Sequence, residues 1–265
     1  MIIYLSFLLM GGLICIGHFV GTLAWRRRSP VPIEPWPGSW SDFLYFLCWV
    51  VFGLFIGSFA VTAWYDYTYG TSDDESVLRV LFSGLGMQAG MLAVLLGFPL
   101  LNPSQWGSAQ AHALPWPRAM SQAGYGFLAA LPLITLLQFL LVTGLAHWGI
   151  EAPLQPVVEI LRESSSLLEW TLVAGMTVIL APLSEELLFR GWLYRFLKGQ
   201  LRPWLAAQVS ALLFALVHLN AFAFFPLWLL GLLLIYGYEY SGSLRVPILW
   251  HALFNLNTLI FLAIQ

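Results

Sequence analysis

The chain has 265 residues, of which 60% are hydrophobic and 9% are charged, and its formal net charge at pH 7 is −2. Soluble domains carry roughly 25% charged residues, so this composition excludes an ordinary soluble domain and indicates a chain that lies in lipid. The charge balance is nearly neutral and the sequence has no basic stripe, so we expect no nucleic acid as a partner. The expected partner is the lipid bilayer.

Apolar stretches long enough to cross a bilayer recur along the whole sequence. A transmembrane helix needs about 20 predominantly apolar residues. Windows of this kind lie near 2–24, 42–64, 77–101, 121–146, 167–187, 204–220, 222–240 and 246–264. The sequence therefore predicts an all-α fold, a polytopic membrane helix bundle of about eight transmembrane helices.

The charges between the windows predict an orientation. The first window has no positive region before it, so it predicts a membrane helix and not a cleaved signal peptide. Basic residues follow alternate windows: Arg26, Arg27, Arg28, Arg118, Arg195, Lys198, Arg202 and Arg245. Acidic residues dominate the connections after the second and fourth windows: Asp66, Asp73, Asp74, Glu75, Glu151, Glu159 and Glu163. The positive-inside rule makes the basic connections cytoplasmic, so both termini are expected on the non-cytoplasmic side.

Small residues inside the windows have packing interpretations. Gly53-x-x-x-Gly57 and Gly86-x-x-x-Gly90 fit the motif by which two membrane helices approach closely. Cys15 and Cys48 lie in apolar windows without CxxC spacing. We expect them to be buried thiols and not a disulfide or a zinc site.

Charged residues interrupt the fifth window in the stretch Ser184-Glu185-Glu186-Leu187-Leu188-Phe189-Arg190-Gly191. A charge at membrane depth costs about 3 kcal/mol on insertion scales, so an intramembrane Glu-Glu-x-x-x-Arg is a functional-site hypothesis. Glu186 and Arg190 are four residues apart, a spacing that allows an ion pair on one helix face. Glu185 is rotated by about 100° from Glu186, so the two carboxylates need not share a role.

The last windows add two histidine patterns. Phe214-x-x-x-His218 and His251-x-x-x-Asn255 each place two side chains on one helix face. At 1.5 Å per residue, Glu185, His218, His251 and Asn255 lie roughly 20, 24, 9 and 15 Å from the nearest basic end, so we expect them to line one cavity. Pro182 predicts a kink in the fifth helix just before the glutamates.

These three patterns, in this order on late windows, resemble the motifs of the CPBP family. That family comprises the CAAX prenyl endopeptidases, their bacterial relatives and the bacteriocin-immunity (Abi) proteins. The resemblance covers roughly residues 165–262, so we divide the chain into N-terminal transmembrane helices and loops, 1–164, and a protease core, 165–265. It implies a glutamate-type intramembrane endopeptidase and a multi-pass protein of a bacterial cytoplasmic membrane.

The resemblance also implies roles for the motif residues. Peptide hydrolysis needs an activated water, a base and donors for the developing oxyanion. Glu185 is the expected base, with His218 holding the water or helping to deprotonate it, and His251 and Asn255 donate to the oxyanion. Three residues are expected to support the site: Glu186, Arg190 and Phe214. The implied substrate is a membrane-embedded or lipid-modified peptide or protein.

Two alternatives remain open. We expect no cofactor, but Glu185, His218 and His251 have the chemistry of zinc ligands, so a zinc enzyme is the alternative. A non-catalytic immunity or scaffold protein that keeps the motifs for structure is the second. The sequence contains no His-Glu-x-x-His, Gly-x-Ser-x-Gly or Gly-x-Gly-Asp motif, so other intramembrane protease types are set aside. A transporter is disfavoured because no inverted repeat is visible.

Overall fold

A computed structural model describes residues 12–13, 17, 33–70, 76–101, 114–150 and 166–263. The described residues form helices and connections and no strand, which confirms the all-α prediction. We number the helices α1 (Trp40–Tyr69), α2 (Val77–Leu101), α3 (Trp116–His147), α4 (Leu167–Gln200), α5 (Pro203–Leu216), α6 (Phe224–Ser241) and α7 (Arg245–Ala263).

Five of the described helices, namely α1, α2, α3, α4 and α7, are long and apolar enough to cross a membrane. The chain is therefore a multi-pass membrane protein. The predicted number of about eight spans is not confirmed: α5 is a shorter apolar helix, α6 is not among the five, and most of the first predicted window, 2–24, lies outside the described residues. Helix α2 has the predicted bounds.

Helix α5 ends four residues earlier than predicted, at Leu216. The Oδ1 atom of Asn220 accepts hydrogen bonds from the backbone N–H groups of Phe222 and Ala223, at 3.0 and 3.1 Å, and this local turn competes with further helix. Leu219 adopts φ 50°, in the left-handed region that a continuing helix does not visit. His218 therefore lies in a turn just after the helix and not within it.

The chain divides into two compact units. One, here the glutamate unit, comprises Trp36–Gly107, Leu154–Leu188 and Asn255–Gln265. The other, the histidine unit, comprises Met1–Pro35, Ser108–Pro153 and Phe189–Phe254. The predicted boundary between residues 164 and 165 lies outside the described residues and stays a prediction.

In the glutamate unit, α1 and α2 form a closely packed hairpin. A Cβ atom placed on Gly57 would lie 2.1 Å from the carbonyl oxygen of Gly86, and one on Gly90 would lie 2.0 Å from that of Gly53. The two glycine motifs thus face one another with their backbones in contact, which is the close approach that each motif allows. Arg79 also forms a bidentate ion pair with Asp66, at 2.8 and 3.0 Å, which joins the ends of the two helices.

The hairpin also carries the surface that faces away from the unit's core. Phe55 and Phe59 are each 72% exposed, which suits contact with lipid tails. Cys48, expected to be a buried thiol, is a free and exposed thiol on α1, because it falls on the unburied side of that helix. Cys15 lies outside the described residues.

In the histidine unit, a buried core joins α3, α6 and α7. Its members include Ala123 and Leu131 of α3, Leu234 of α6, and Trp250 of α7. The Trp250 ring fits against Gly126, where a Cβ atom would lie 2.6 Å from the indole ring. The indole therefore fixes the part of α7 that carries His251.

Polar contacts join the end of α4 to α6 in the same unit. The Tyr194 hydroxyl donates to Glu239 Oε1 at 2.9 Å, and the Lys198 ammonium forms an ion pair with the same carboxylate. The buried Arg195 donates from Nε to the carbonyl oxygen of Glu34 at 2.8 Å. These cationic side chains have anionic or carbonyl acceptors, which reduces the cost of removing them from water.

Candidate active site

Helix α4 carries the glutamate motif and is irregular on both sides of it. Two π-helical segments, Met176–Leu180 and Leu187–Tyr194, flank the short α-helical segment Ala181–Glu186. The Ser184 hydroxyl donates to the carbonyl oxygens of Leu180 and Ala181, at 2.8 and 3.1 Å, a side-chain bond that bends helices. Single π turns are often found at functional sites, and here they bracket both carboxylates.

The first π segment explains the effect of Pro182. The Ala181 N–H donates to the carbonyl oxygen of Met176, five residues earlier. In that register the Thr177 carbonyl would accept a hydrogen bond from the backbone N–H of residue 182. Residue 182 is a proline and has no N–H. Instead, the Asn255 side chain of α7 donates from Nδ2 to the Thr177 oxygen at 2.8 Å. The predicted kink is therefore a π turn closed by a side chain from another helix.

The two glutamate residues differ in overall burial. Glu186 is fully buried, whereas Glu185 is partly exposed. Glu185 keeps some exposed surface as a residue while its Oε2 atom is buried, so the approach of water to its carboxylate, which a base requires, stays a prediction. The full burial of Glu186 fits a supporting role for its side chain.

Arg190, on the second π segment, is also fully buried. Its Nη2 atom donates to the carbonyl oxygen of Gly231 on α6 at 3.0 Å. The guanidinium carbon lies 4.6 Å from the centre of the Phe214 ring, within the range of a cation–π contact. Gly231 packs closely on α5, since a Cβ atom there would lie 3.0 Å from that of Ala211.

Phe214 lies at the centre of the motif residues of the histidine unit. Its ring centre lies 4.9 Å from the ring of His218 and 5.7 Å from that of His251, both in edge-on arrangements. Phe189 contacts the same ring edge-on at 5.2 Å. Because Phe214 is fully buried, it holds a fixed position for the groups around it.

The contact of His218 with the backbone fixes its tautomer. Its Nδ1 atom lies 2.7 Å from the carbonyl oxygen of Phe214. A carbonyl oxygen accepts hydrogen bonds and cannot donate, so Nδ1 carries the proton and Nε2 carries the lone pair of the neutral ring. His218 is exposed, so this lone pair lies on an accessible side chain. A neutral imidazole in this tautomer can accept a proton or a hydrogen bond from water.

Helix α7 carries the third motif without interruption. His251 is 3% exposed, and Asn255, one turn further along, is partly buried. The Asn255 amide has two N–H groups, and one of them is used by the Thr177 carbonyl. The other remains for the role in oxyanion binding that the resemblance implies.

The structure brings three of the predicted residues, Arg190, His218 and His251, together around the ring of a fourth, Phe214, in the histidine unit. Glu185, Glu186 and Asn255 belong to the glutamate unit. Their convergence with the histidines on one cavity stays a prediction, as does the ion pair of Glu186 with Arg190.

The sequence interpretation missed three contributors to this site. Gly231 and Thr177 act through backbone carbonyls, a role that cannot be recognised from the residue type. Ser184 acts on the backbone of its own helix. Pro182 was a usable signal for Thr177, because a proline in a helix interior always leaves a carbonyl without its usual donor.

A zinc site would need three or more suitable ligands close together. Within the described part of the chain, no group of three His, Cys, Asp or Glu residues is arranged to hold a metal ion. The zinc alternative with Glu185, His218 and His251 and the metal-free site both stay predictions.

Comparison with known proteins bears on the same residues. Residues 167–257 match the family model described as "Type II CAAX prenyl endopeptidase Rce1-like". The matched segment contains all three motifs, and the resemblance to the CPBP family is thereby confirmed.

Three curated proteins are similar to part of the chain. The "Membrane-embedded CAAX protease MroQ" of Staphylococcus aureus is 38% identical over 31% of this chain and 36% of its own length. The "UPF0177 protein YbdI" of Lactococcus lactis is 33% identical over 32% of this chain and 46% of its own. An "Uncharacterized 24.3 kDa protein" of Escherichia coli is 33% identical over 37% of this chain and 48% of its own.

The chain thus spans less than half the length of each of these three relatives. No solved structure matches it.

Proposed function

We propose that the chain, a membrane protein with a CPBP-family segment over residues 167–257, is an intramembrane endopeptidase. It would hydrolyse a peptide bond of a membrane-embedded or lipid-modified peptide or protein. The observation that carries the proposal is the arrangement around Phe214, where a buried arginine and two imidazoles share one ring.

The proposed reaction uses the motif residues in distinct roles. Glu185, with His218 accepting a hydrogen bond from the same water, removes a proton as the water oxygen attacks the peptide carbonyl carbon. The oxyanion that forms is stabilised by donors from His251 and from the second amide N–H of Asn255. The C–N bond then breaks, and the proton held by Glu185 passes to the leaving nitrogen.

Supporting residues keep this arrangement rigid. Arg190 joins the second π segment to α6 through the Gly231 carbonyl and covers the Phe214 ring. Rigid support of this kind raises rate because catalytic groups act only within narrow geometric limits. If zinc were bound, Glu185, His218 and His251 would hold it, and it would supply an activated water. The reaction above needs no such ion.

The orientation proposed from the charges places the basic connections in the cytoplasm and both termini on the other side. Reporter fusions at residues 28, 72, 118, 155 and 199 are therefore expected to read in, out, in, out and in. A cytoplasmic reading at 72 together with an external reading at 199 would contradict the proposed orientation.

The proposed activity can be tested without knowing the substrate. Membranes of a strain that expresses the wild-type protein are compared with membranes that contain Glu185→Gln at equal amount, and peptide termini are identified by mass spectrometry. The proposal expects new termini that depend on Glu185. Identical sets of termini, with both proteins folded, would favour the non-catalytic immunity or scaffold alternative.

A further inference from the structure

We infer that Pro182 is a positioning residue for Asn255. By withholding a backbone donor from the Thr177 carbonyl, Pro182 gives the Asn255 amide a fixed acceptor and so sets the direction of its second N–H. The inference rests on the proposed function for its catalytic part. Its structural part, the coupling of Pro182 to Asn255, does not depend on that function.

The first step concerns the backbone of α4. Ala181 donates to Met176, so the hydrogen-bond register at this point is five residues. The residue that would serve Thr177 in this register is Pro182, which is buried and has no N–H. A backbone carbonyl that lacks a donor within a membrane costs several kcal/mol, so this position requires a donor from elsewhere.

The second step concerns Asn255. Its Nδ2 atom meets that requirement at 2.8 Å, from a helix 78 residues further along the chain. The asparagine amide is planar, so a hydrogen bond from one N–H fixes the direction of the other.

The third step separates this inference from a simple kink. Pro132 is also buried in the interior of a membrane-length helix, α3, and serves as a matched proline. If Pro182 acts only by bending α4, its replacement and that of Asn255 affect the protein independently. If Pro182 acts through the Thr177 carbonyl, an N–H at position 182 supplies the donor and Asn255 is no longer needed there.

The first experiment is a thermal unfolding cycle in detergent with the full chain: wild type, Pro182→Ala, Asn255→Ala and the double variant. In the wild-type background, Asn255→Ala is expected to lower the unfolding midpoint by about 3 °C or more, since it leaves a buried carbonyl without its donor. In the Pro182→Ala background the same change is expected to lower it by less than about 1 °C. The Pro132→Ala background is the control and is expected to keep the full effect. Equal effects of Asn255→Ala in all three backgrounds would overturn the inference.

A second variant tests the Asn255–Thr177 contact, on which the inference depends, even if Pro182→Ala does not fold. Asn255→Asp keeps the shape of the side chain but points a carboxylate oxygen at the Thr177 carbonyl oxygen. It is expected to lower the midpoint at least as much as Asn255→Ala, because two acceptors repel one another. Wild-type stability of Asn255→Asp would overturn the inference.

The catalytic part is measured on a peptide that the wild type cleaves. Pro182→Ala is expected to lower kcat about tenfold or more with KM unchanged, because the donor to the oxyanion loses its orientation. Pro132→Ala is expected to keep the wild-type kcat. Coupling in the unfolding cycle with unchanged kcat would overturn the positioning role. Failure of the wild type to cleave any peptide would instead count against the proposed function, and the unfolding cycle would still decide the coupling.

Discussion

The α1–α2 hairpin and helix α4 are both apolar and long enough for a membrane, yet they are held in different ways. In the hairpin, backbone packs on backbone, with glycines of one helix against carbonyl oxygens of the other. At α4, side chains serve backbone carbonyls of neighbouring helices: Asn255 of α7 donates to Thr177 of α4, and Arg190 of α4 donates to Gly231 of α6. The hairpin is regular, whereas α4 contains two π segments.

This difference explains why polar motif residues are found at α4 and not at the glycine contacts of the hairpin. Glycine packing stabilises a helix pair through close van der Waals contact and needs no charge. The irregular backbone of α4 instead uses a polar motif residue, Asn255, as the donor for its Thr177 carbonyl. A membrane helix accepts such residues where they satisfy the backbone or one another, and that condition also fixes their positions.

The largest effect is expected in the hairpin, from Gly57→Val. Its Cβ atom would lie 2.1 Å from the Gly86 carbonyl oxygen, and backbone on both sides leaves no room for a shift. We expect no folded, monodisperse protein in size-exclusion chromatography. Gly97→Ala is the matched control, because nothing lies within 4 Å of a Cβ atom at Gly97. A normal elution profile for Gly57→Val would mean that the hairpin is not held by backbone contact.

An intermediate effect is expected in α4, from Arg190→Gln. The change removes the cation over Phe214 and the charged donor to Gly231, so the free energy of unfolding is expected to fall by about 3 kcal/mol. Thermal or denaturant unfolding in detergent measures it. Arg202→Gln, at an exposed arginine, is the control and is expected to change stability little. Equal stability of Arg190→Gln and Arg202→Gln would show that the buried Arg190 does not stabilise the fold.

The smallest effect is expected from Ser58→Ala in the hairpin. Ser58 and Ser83 share a hydrogen bond of 2.8 Å between their hydroxyls. Hydrogen bonds between membrane helices contribute about 0.6 kcal/mol on average, so the unfolding free energy is expected to fall by about that amount. A loss as large as that of Arg190→Gln would show that polar contacts, and not glycine packing, hold the hairpin.

Much of the fold follows from hydrophobic length. The window 77–101 corresponds to α2, and 246–264 corresponds closely to α7. The early end of α5 could not be predicted from hydrophobic length, because Leu219 and the Asn220 turn end the helix where the sequence is still apolar. The π segments of α4 did not follow either, because hydrophobic periodicity does not record a shift of one residue in hydrogen-bond register.

The site divides along similar lines. Glu185, Arg190, His218 and His251 could be identified from the sequence, because charged and imidazole side chains are rare in apolar windows, where they are costly to place in lipid. The contact of Arg190 with Gly231 could not be predicted, since any residue has a carbonyl to offer. The fixed tautomer of His218 depends on the turn that begins one residue before it, and so on the end of α5.

The central claim is that Glu185 is the base of an intramembrane peptidase. The most direct measurement is the cleavage rate of purified wild type, Glu185→Gln and Glu186→Gln on one verified substrate, each normalised to the folded fraction. Glu185→Gln is expected to lower kcat by a factor of about 100 or more, because glutamine keeps the volume but cannot take the proton. Glu186→Gln is expected to lose activity mainly through its folded fraction. A Glu185→Gln protein that is folded and cleaves at the wild-type rate would contradict the account.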